Sequence, residues 1–425
     1  MRILLLGSGG REHAIAWKLV QSQKCTGLFI APGNAGTALC GKNVPIDISA
    51  WDALADFVIR ESVDMVVAGP EEPLVRGVAD YFAEQEALKH VLFVGPGAAG
   101  AKLEGSKDFA KAFMARNEIP TAAYRSFTRE TFDEAVAFLK SLTPPYVIKA
   151  DGLAAGKGVI IIESLTEAIE VLKEMLYDKK FGDASNTVVI EEFLEGVEMS
   201  VFVLTDGKGY CMLPAAKDYK RIGEGDTGAN TGGMGAVSPV PFASSELMAR
   251  IDKQVIVPTI EGLINENIPY CGFIFFGLMI VDGQPYVIEY NVRLGDPEAE
   301  AIIPRIDSDL TAMLEAACKG QISDCMPQIS SRHAATVILA SGGYPNAFDK
   351  GFAIKNLEQV KDSLVFYAGV EEKDNHLCTS GGRVMAITSL AENLEDALTL
   401  SLNNARQIDF KGKYFRRDIG KDLLH

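Results

Sequence analysis

The sequence contains few residues of the kinds that build metal clusters and disulfide frameworks. Among its 425 residues there are seven cysteines, none of them in a C-x-x-C pair, and five histidines that are dispersed along the chain. These counts argue against zinc clusters, a histidine metal site and a disulfide scaffold. We therefore expect the protein to work in a reducing compartment, the cytoplasm.

Basic residues and long apolar runs are scarce as well. The chain has 41 basic and 57 acidic residues, a formal net charge of −16, which argues against nucleic acid or an anionic membrane surface as the main partner. No apolar run approaches the ~18 residues that a membrane span needs. Residues 1–6 lead directly into a glycine loop, so we expect no signal peptide.

Glycine is abundant, with 40 residues, and the first glycine loop follows the first apolar run. Residues 3–6 predict a strand, and the loop through Gly7, Gly9 and Gly10 leads into a helical pattern. A helix N-terminus of this kind favours an anion such as a phosphate. A dinucleotide site is the weaker interpretation, because Glu12 stands where the third glycine of that motif belongs.

Further strands are predicted at residues 27–31, 64–68 and 90–94, and each ends in small, turn-forming or acidic residues. Open parallel sheets bind ligands at the carboxyl ends of their strands. We expect a crevice there for a small phosphorylated molecule, with its phosphate near the first glycine loop and its hydroxyl groups near Glu71.

The middle of the chain contains a second glycine-rich loop between two apolar runs. The order of strand, loop and strand over residues 146–162 predicts a hairpin lid, whereas the common phosphate loop precedes a helix. The amides and the lysine of such a lid are suited to covering phosphates. Lys149 ends an apolar run, where an unpaired ammonium is costly, so we expect it to meet a phosphate or an acid.

Two later segments combine acids with apolar residues or glycines. A strand predicted at 187–190 leads into the acidic and apolar residues 191–198, which are suited to reading an adenine through the backbone and a ribose through a carboxylate. Residues 217–236 include six glycines between positions 223 and 235. This composition predicts a long loop without secondary structure, and its charges favour a substrate loop.

A late hairpin, residues 273–281 and 286–293, carries the most specific polar pattern. Side chains alternate between the faces of a strand, so Glu289, Asn291 and Arg293 are expected to project together, with the residues between them on the opposite face. A carboxylate and an amide oxygen suit Mg²⁺ that also binds phosphate, and a guanidinium suits an anion. The row predicts a site for nucleotide phosphates; a solvated polar face is the alternative.

The C-terminal part changes pattern again from about residue 332. Strands are predicted at 333–340 and 382–388, and an amphipathic helix at 393–408. These residues show little chemistry of their own. We expect a packing domain that closes one side of the cleft.

Four motifs together resemble the phosphoribosylamine–glycine ligases, a family of the ATP-grasp superfamily. They are the lid 154–159, the hinge 191–194, the loop 230–236 with its Gly-Gly-Met-Gly-Ala run, and residues 288–298 of the late hairpin. The resemblance extends from residues 7–13 to residues 414–420. Two positions depart from the pattern: Tyr219 stands where many members have His, and Gly277 where many ATP-grasp enzymes have a further metal carboxylate.

The resemblance implies an α/β and α+β multidomain fold. An N-terminal open parallel α/β domain is expected at 1–103, and an ATP-grasp catalytic core at 104–122 and 191–328. A small lid lobe is expected at 123–190 and a C-terminal mixed α/β domain at 329–425.

The resemblance also implies ATP-dependent joining of glycine to 5-phosphoribosylamine through glycyl phosphate, in purine biosynthesis. Glu289 and Asn291 would hold Mg²⁺ or Mn²⁺. The implied catalytic residues are Arg293, which also contacts substrate, Lys157 and Asp218, with Asp218 on the ammonium of glycine. The implied ATP contacts are Lys107, Lys149, Gly156, Lys157, Glu191, Glu192, Phe193, Leu194, Glu198, Arg221 and Asn230. The implied phosphoribosylamine contacts are Gly9, Gly10, Asn34 and Glu71.

Two other interpretations stay open from the sequence. One is another ATP-grasp carboxylate–amine ligase with a different acid or amine. The other is a nucleotide-binding protein without turnover. Release of ADP with different acids and amines would separate them.

Overall fold

The first part of the chain forms an open parallel sheet. The computed structural model describes residues 1–154 and 158–424. The strands of this sheet are all parallel and confirm the predicted parallel domain. The elements are β1 (Arg2–Gly7), α1 (Gly10–Leu19), β2 (Gly27–Pro32), β3 (Lys42–Asn43), α2 (Trp51–Arg60), β4 (Met65–Ala68), α3 (Glu71–Val75), α4 (Val78–Glu84) and β5 (Leu92–Val94). The order β3-β2-β1-β4-β5 makes the carboxyl end of β1 a topological switch point, where such sheets bind ligands.

A small lobe follows two connecting helices, α5 (Ala98–Gly105) and α6 (Lys107–Arg116). Its elements are β6 (Tyr124–Thr128), α7 (Phe132–Ser141), β7 (Tyr146–Ala150), β8 (Val159–Ile162), α8 (Leu165–Leu176) and β9 (Thr187–Glu191). The antiparallel sheet has the order β6-β9-β7-β8 and an apolar cluster of its own. The predicted hairpin is present, with Ile148 opposite Ile160, although residues 155–157 of its loop lie outside the described residues.

The central segment contains the sheet that carries the late hairpin. Its elements are β10 (Val197–Thr205), β11 (Tyr210–Met212), β12 (Lys217–Asp218), β13 (Arg221–Gly223), β14 (Thr227–Asn230), β15 (Gly235–Ser238), α9 (Ser245–Ile251), α10 (Val257–Asn265), β16 (Gly272–Val281), β17 (Gln284–Asn291), α11 (Glu298–Ile302) and α12 (Leu310–Cys318). Four strands form an antiparallel sheet in the order β11-β10-β16-β17. The predicted hairpin is therefore confirmed as β16 and β17.

A β-bulge interrupts this hairpin. Leu278 pairs with Val287 and Gly277 with Glu289, so Ile288 is an extra residue on β17. Val287 is fully buried at 0% exposure, whereas Ile288 is half-buried. The predicted strict alternation is wrong at Ile288, because the extra residue shifts the faces of the strand. Alternation resumes beyond the bulge, so the two predicted metal ligands still share one side.

The C-terminal part completes a sheet that begins in the glycine-rich segment. Its elements are β18 (His333–Ala340), β19 (Ser363–Tyr367), β20 (Val370–Lys373), β21 (His376–Thr379), β22 (Arg383–Ala391) and α13 (Leu394–Gln407). The sheet order is β12-β15-β18-β22-β19, so strands from both segments form one sheet. In the parts of the chain that are described, no helix combines the length and the apolar character of a membrane span.

The glycine-rich segment itself is more ordered than its composition predicts. β12 pairs with β15, and β13 pairs with β14 as a two-stranded ribbon. The expectation of no secondary structure over 217–236 is therefore wrong. Gly225 takes a positive φ of 69° in the turn that joins β13 to β14, and Gly228 takes a positive φ of 81° within β14; glycine adopts such values without strain.

His13 lies where the N-terminal and C-terminal sheets meet. Its side chain is 4% exposed, and Nδ1 accepts a 2.8 Å hydrogen bond from the backbone N–H of Tyr367. Burial lowers the pKa of His13 to about 4. Between about pH 4 and 6.5 the unfolded chain binds this proton and the folded chain does not, so stability falls as the pH falls, by at most about 3 kcal/mol.

Urea unfolding at pH 7.5 and pH 5 is expected to show this acid sensitivity. The His13→Gln variant keeps an acceptor for Tyr367 but does not titrate. It should lose less stability than the wild type between the two pH values. Equal losses would show that His13 does not contribute to acid unfolding.

Candidate active site

The hairpin ends in a carboxylate surrounded by cations. The side chain of Glu289 is 37% exposed, and Asn291 is buried at 8%. Burial acts to raise the pKa of Glu289, but nearby cations outweigh it and lower the pKa; they are Lys220, Lys149, Lys107 and Arg293. Glu289 is therefore ionised at neutral pH and available as a hard oxygen ligand.

Lys220 is a central residue of this site that the sequence interpretation missed. Its Nζ lies 3.1 Å from Glu198 Oε2 and 3.9 Å from Glu289 Oε1. Burial acts to lower the pKa of Lys220, but Glu198, Asp218 and Glu289 raise it well above its ordinary value. The local sequence held one signal: Lys220 follows Asp218 by two residues, a spacing that often places side chains on a common side.

Asp218 lies in the same cluster with a perturbed titration. Burial raises the pKa of Asp218 to about 8, Lys220 opposes this, and the acids Glu298, Glu198 and Glu289 add to it. Burial also raises the pKa of Glu298, which accepts a 3.2 Å hydrogen bond from a serine hydroxyl. Four carboxylates thus surround one lysine, and such an excess of negative charge favours a cationic ligand.

A second group of charges lies between α6 and the small lobe. Glu191 makes two ion pairs of 2.9 Å, from Oε2 to Lys111 Nζ and from Oε1 to Lys149 Nζ. The three side chains are at most 5% exposed. The prediction that Lys149 meets a phosphate or an acid is thus confirmed for an acid. Each oxygen of Glu191 pairs with one lysine, so the triad keeps a net positive charge, and the contact of Glu191 with ATP stays a prediction.

Arg293 is held by two carboxylates from the N-terminal side of the chain. Its Nε donates to Glu71 Oε2 at 3.1 Å, and Nη2 donates to Glu104 Oε1 at 2.8 Å. Burial raises the pKa of Glu104 to about 7 against the opposing charge of Arg293. Glu71, predicted to contact substrate hydroxyls, therefore contacts Arg293 in this arrangement.

The first glycine loop faces acids of α1 and of the segment after β17. The amide of Gly9 donates to Glu12 Oε2 at 2.6 Å. A Cβ added at Gly10 would lie 2.3 Å from Glu300 Oε1, so a larger residue at this position would displace the end of that side chain. The phosphate contact predicted for Gly9 and Gly10 stays a prediction, and the amide of Gly9 already has a partner.

Asn34 joins two domains through its side chain. Its Nδ2 donates to the carbonyl oxygens of Ser8 and Tyr367, both at 2.7 Å. Its Oδ1 accepts from the amides of Gly36 and Thr37 at 2.7 and 2.9 Å. These contacts explain Asn34 as a residue that shapes the loop after β2, and its contact with substrate stays a prediction.

The remaining predicted ATP contacts are distributed around the cleft. Lys107 donates to the carbonyl of Gly152 at 3.2 Å, and Glu192 accepts from the amide of Ala123 at 2.8 Å. Phe193 is 39% exposed at the hinge, beside the half-buried Leu194. Arg221 pairs with Asn230 across the β13–β14 ribbon and donates to the carbonyl of Gly228. Gly156 and Lys157 lie outside the described residues.

The ligands of this site suit a metal ion that arrives with a phosphate. Across residues 1–154 and 158–424, no group of three or more His, Cys, Asp or Glu side chains is arranged to hold a metal alone. Glu289 and Asn291 offer two hard oxygen atoms beside several lysines, and their role as metal ligands stays a prediction. A hard divalent cation with few protein ligands completes its shell from water and phosphate oxygens.

Comparison with known proteins first defines the class. The ATP-grasp (A) domain model of the phosphoribosylglycinamide synthetases matches residues 105–299. A crystal structure of the biotin carboxylase domain of a Hydrogenobacter thermophilus 2-oxoglutarate carboxylase shows the same fold, with a TM-score of 0.74, 16% identity, and coverage of 97% of this chain and 91% of that one. The fold and the domain match are those of an ATP-grasp protein.

The family follows from matches along the whole chain. The N and C domain models of phosphoribosylglycinamide synthetase match residues 1–104 and 334–422. Phosphoribosylamine–glycine ligase of Haemophilus influenzae is 47% identical, over 99% of this chain and 98% of the relative. The crystal structure of the Thermotoga maritima enzyme of that name has a TM-score of 0.85 and 36% identity, and the match covers 99% and 100% of the two chains. The chain belongs to the phosphoribosylglycinamide synthetase family.

Proposed function

We propose that this protein joins glycine to 5-phosphoribosylamine at the expense of ATP, giving glycinamide ribonucleotide, ADP and phosphate for purine biosynthesis. Membership in the family supports this activity. The structural observation that carries it is the convergence of Glu289, Lys220 and Asp218 beside Lys149 of the triad, with Asn291 two residues after Glu289 on β17. The cytoplasm, predicted from the cysteines, is the location we propose.

The reaction needs positioning and charge neutralisation more than a nucleophilic side chain. A carboxylate oxygen of glycine attacks the γ-phosphorus of ATP, and ADP leaves. The amine nitrogen of phosphoribosylamine then attacks the carbonyl carbon of glycyl phosphate, phosphate leaves, and the nitrogen loses a proton. Phosphoryl transfer of this kind depends mainly on alignment and on cations around the phosphates.

The nucleotide fits the lysine-rich side of the cleft. Lys107 and Lys149 are near Glu289 and provide positive charge for the phosphates. Lys111 neutralises Glu191, so the triad keeps one net positive charge that can attract an anion. The exposed ring of Phe193 and the neighbouring Leu194 offer an apolar surface for adenine.

Glu289 and Asn291 would hold Mg²⁺ or Mn²⁺, which neutralises phosphate charge when bound. Their oxygens are of the type that such ions prefer, and their common side of β17 allows both to reach one ion. Arg293, close enough to Glu289 to affect its titration, is suited to stabilising the transferred phosphoryl group.

Glycine fits the acidic side of the cleft. Its ammonium group would balance the excess charge around Asp218, whose pKa of about 8 reflects burial without enough positive charge. Because attraction to one methyl group is worth only ~1 to 3 kcal/mol, alanine must be excluded by shape. Phosphoribosylamine is assigned to the crevice at the end of β1, near Gly9, Gly10, Asn34 and Glu71.

Release of ADP tests the proposal directly. Freshly generated phosphoribosylamine, glycine and Mg²⁺·ATP are expected to release ADP and form an amide. Mixtures that lack either glycine or the amine should release little ADP. Turnover only with a different acid or amine would identify another ATP-grasp ligase, and the absence of turnover with every pair would favour a nucleotide-binding protein.

A further inference from the structure

One carboxylate, Glu104 on α5, binds two successive residues just beyond the metal-binding strand. Its Oε2 accepts a 2.7 Å hydrogen bond from the backbone N–H of Val292. Its Oε1 accepts a 2.8 Å hydrogen bond from Nη2 of Arg293. The side chain of Glu104 is 7% exposed, so solvent screens these contacts little. Both the backbone after Asn291 and the guanidinium are therefore tied to α5.

The remaining donors of Arg293 are limited in number. A guanidinium has five N–H groups. Three of them bind protein acceptors, namely Glu71, Glu104 and the carbonyl of Leu294. The other two N–H groups have no acceptor among the described residues. A fixed guanidinium with two open donors is preorganised for an anion with two oxygens.

We propose that Glu104 is a positioning residue of the ligase reaction, which fixes the end of the metal-binding strand and orients Arg293 toward the transferred phosphoryl group. The inference rests on the proposed function. Glu71 provides a weaker constraint, because it binds only the guanidinium and its side chain is 30% exposed. Of these two acids, only Glu104 binds both the backbone N–H of Val292 and the guanidinium of Arg293, so its loss removes both contacts at once.

Glu104→Gln tests this role in the full-length protein. At pH 8, above the pKa of about 7, the wild-type carboxylate is ionised. We expect kcat to fall roughly 10- to 100-fold, as for a misplaced catalytic group, with KM for ATP changed by less than about threefold. Calorimetric binding of Mg²⁺ with a non-hydrolysable ATP analogue should stay near the wild-type affinity, and thermal unfolding checks the fold.

Glu104→Asp separates position from charge. It keeps the carboxylate but is one methylene too short to reach both partners, so kcat is expected to fall here as well. A wild-type kcat in the aspartate variant would overturn the two-point contact. Because this variant retains a carboxylate for Arg293, it also serves if the glutamine variant does not fold.

Glu266→Gln is the matched control. Glu266 pairs with Arg116 at 2.7 Å and is not among the residues assigned to the reaction, so its loss should leave kcat unchanged. If the wild type is active and Glu104→Gln has the same kcat, the positioning role of Glu104 is overturned but the proposed function is not. A raised KM with normal kcat would do the same, because it would mark a binding role. A wild type that releases no ADP would overturn the proposed function as well.

Discussion

Glu289→Ala is expected to lower kcat by about 10²-fold or more, as does the loss of other groups that organise charge in a transition state. Glu289 is ionised among four cations, and its side chain is one of the two metal ligands that we propose on β17. With 37% of the side chain exposed, truncation leaves no closed cavity, so the fold should persist. The variant should also need more Mg²⁺ for half-maximal activity.

Steady-state ADP release measures kcat at saturating ATP and glycine. Repeating the assay across a range of Mg²⁺ concentrations measures the Mg²⁺ requirement. Glu246→Ala is the control, because Glu246 is an 83% exposed acid that pairs with Arg250 at 3.0 Å on the same domain. A Glu289→Ala enzyme with normal kcat and normal Mg²⁺ dependence would remove Glu289 from the metal site.

The sequence predicted the parts of the site that depend on local order. The alternation of a strand placed Glu289 and Asn291 on one side, and the structure keeps them there. The apolar run before Lys149 predicted a charged partner, and Glu191 provides it. Each inference used only neighbouring residues and the cost of burying a charge, so the rest of the fold was not needed.

Contacts between distant segments could not be predicted in the same way. Glu104 and Arg293 are 189 residues apart in sequence, and Asn34 and Tyr367 are 333 apart. No local pattern shows which distant acid will meet a given arginine. The bulge at Ile288 has a similar origin, because it arises from the register of two paired strands, a property that neither strand shows alone.

The glycine-rich segment was misjudged for a related reason. Its composition predicted a structureless loop, yet β12 and β15 enter the C-terminal sheet, where Gly235 pairs with Val337. Tertiary pairing can impose a strand on residues of low strand propensity. The same pairing places Asp218 and Lys220 close to β17, so a substrate loop was predicted while its central lysine was missed.

Lys220→Met is expected to lower kcat by roughly 10²- to 10³-fold, the loss seen when one charge-stabilising donor is removed from an active site. Lys220 faces Glu198, Asp218 and Glu289, and its positive charge offsets part of their repulsion of ATP and of the migrating phosphoryl group. Methionine has a similar length, and the lysine side chain is 38% exposed, so the fold should tolerate the change.

Lys220→Arg keeps the positive charge, so its kcat should lie between those of the wild type and of Lys220→Met. Stopped-time assays of ADP release compare the two variants. Lys319→Met removes a 51% exposed lysine from a surface pair with Glu315 and controls for the loss of one positive charge. If Lys220→Met retained the wild-type kcat, the four carboxylates would not need a protein cation between them. The charge balance of the cleft would then have to come from Lys107, Lys149 and Arg293 together with the bound metal and substrates, because protonation of Asp218 neutralises only one of the four acids.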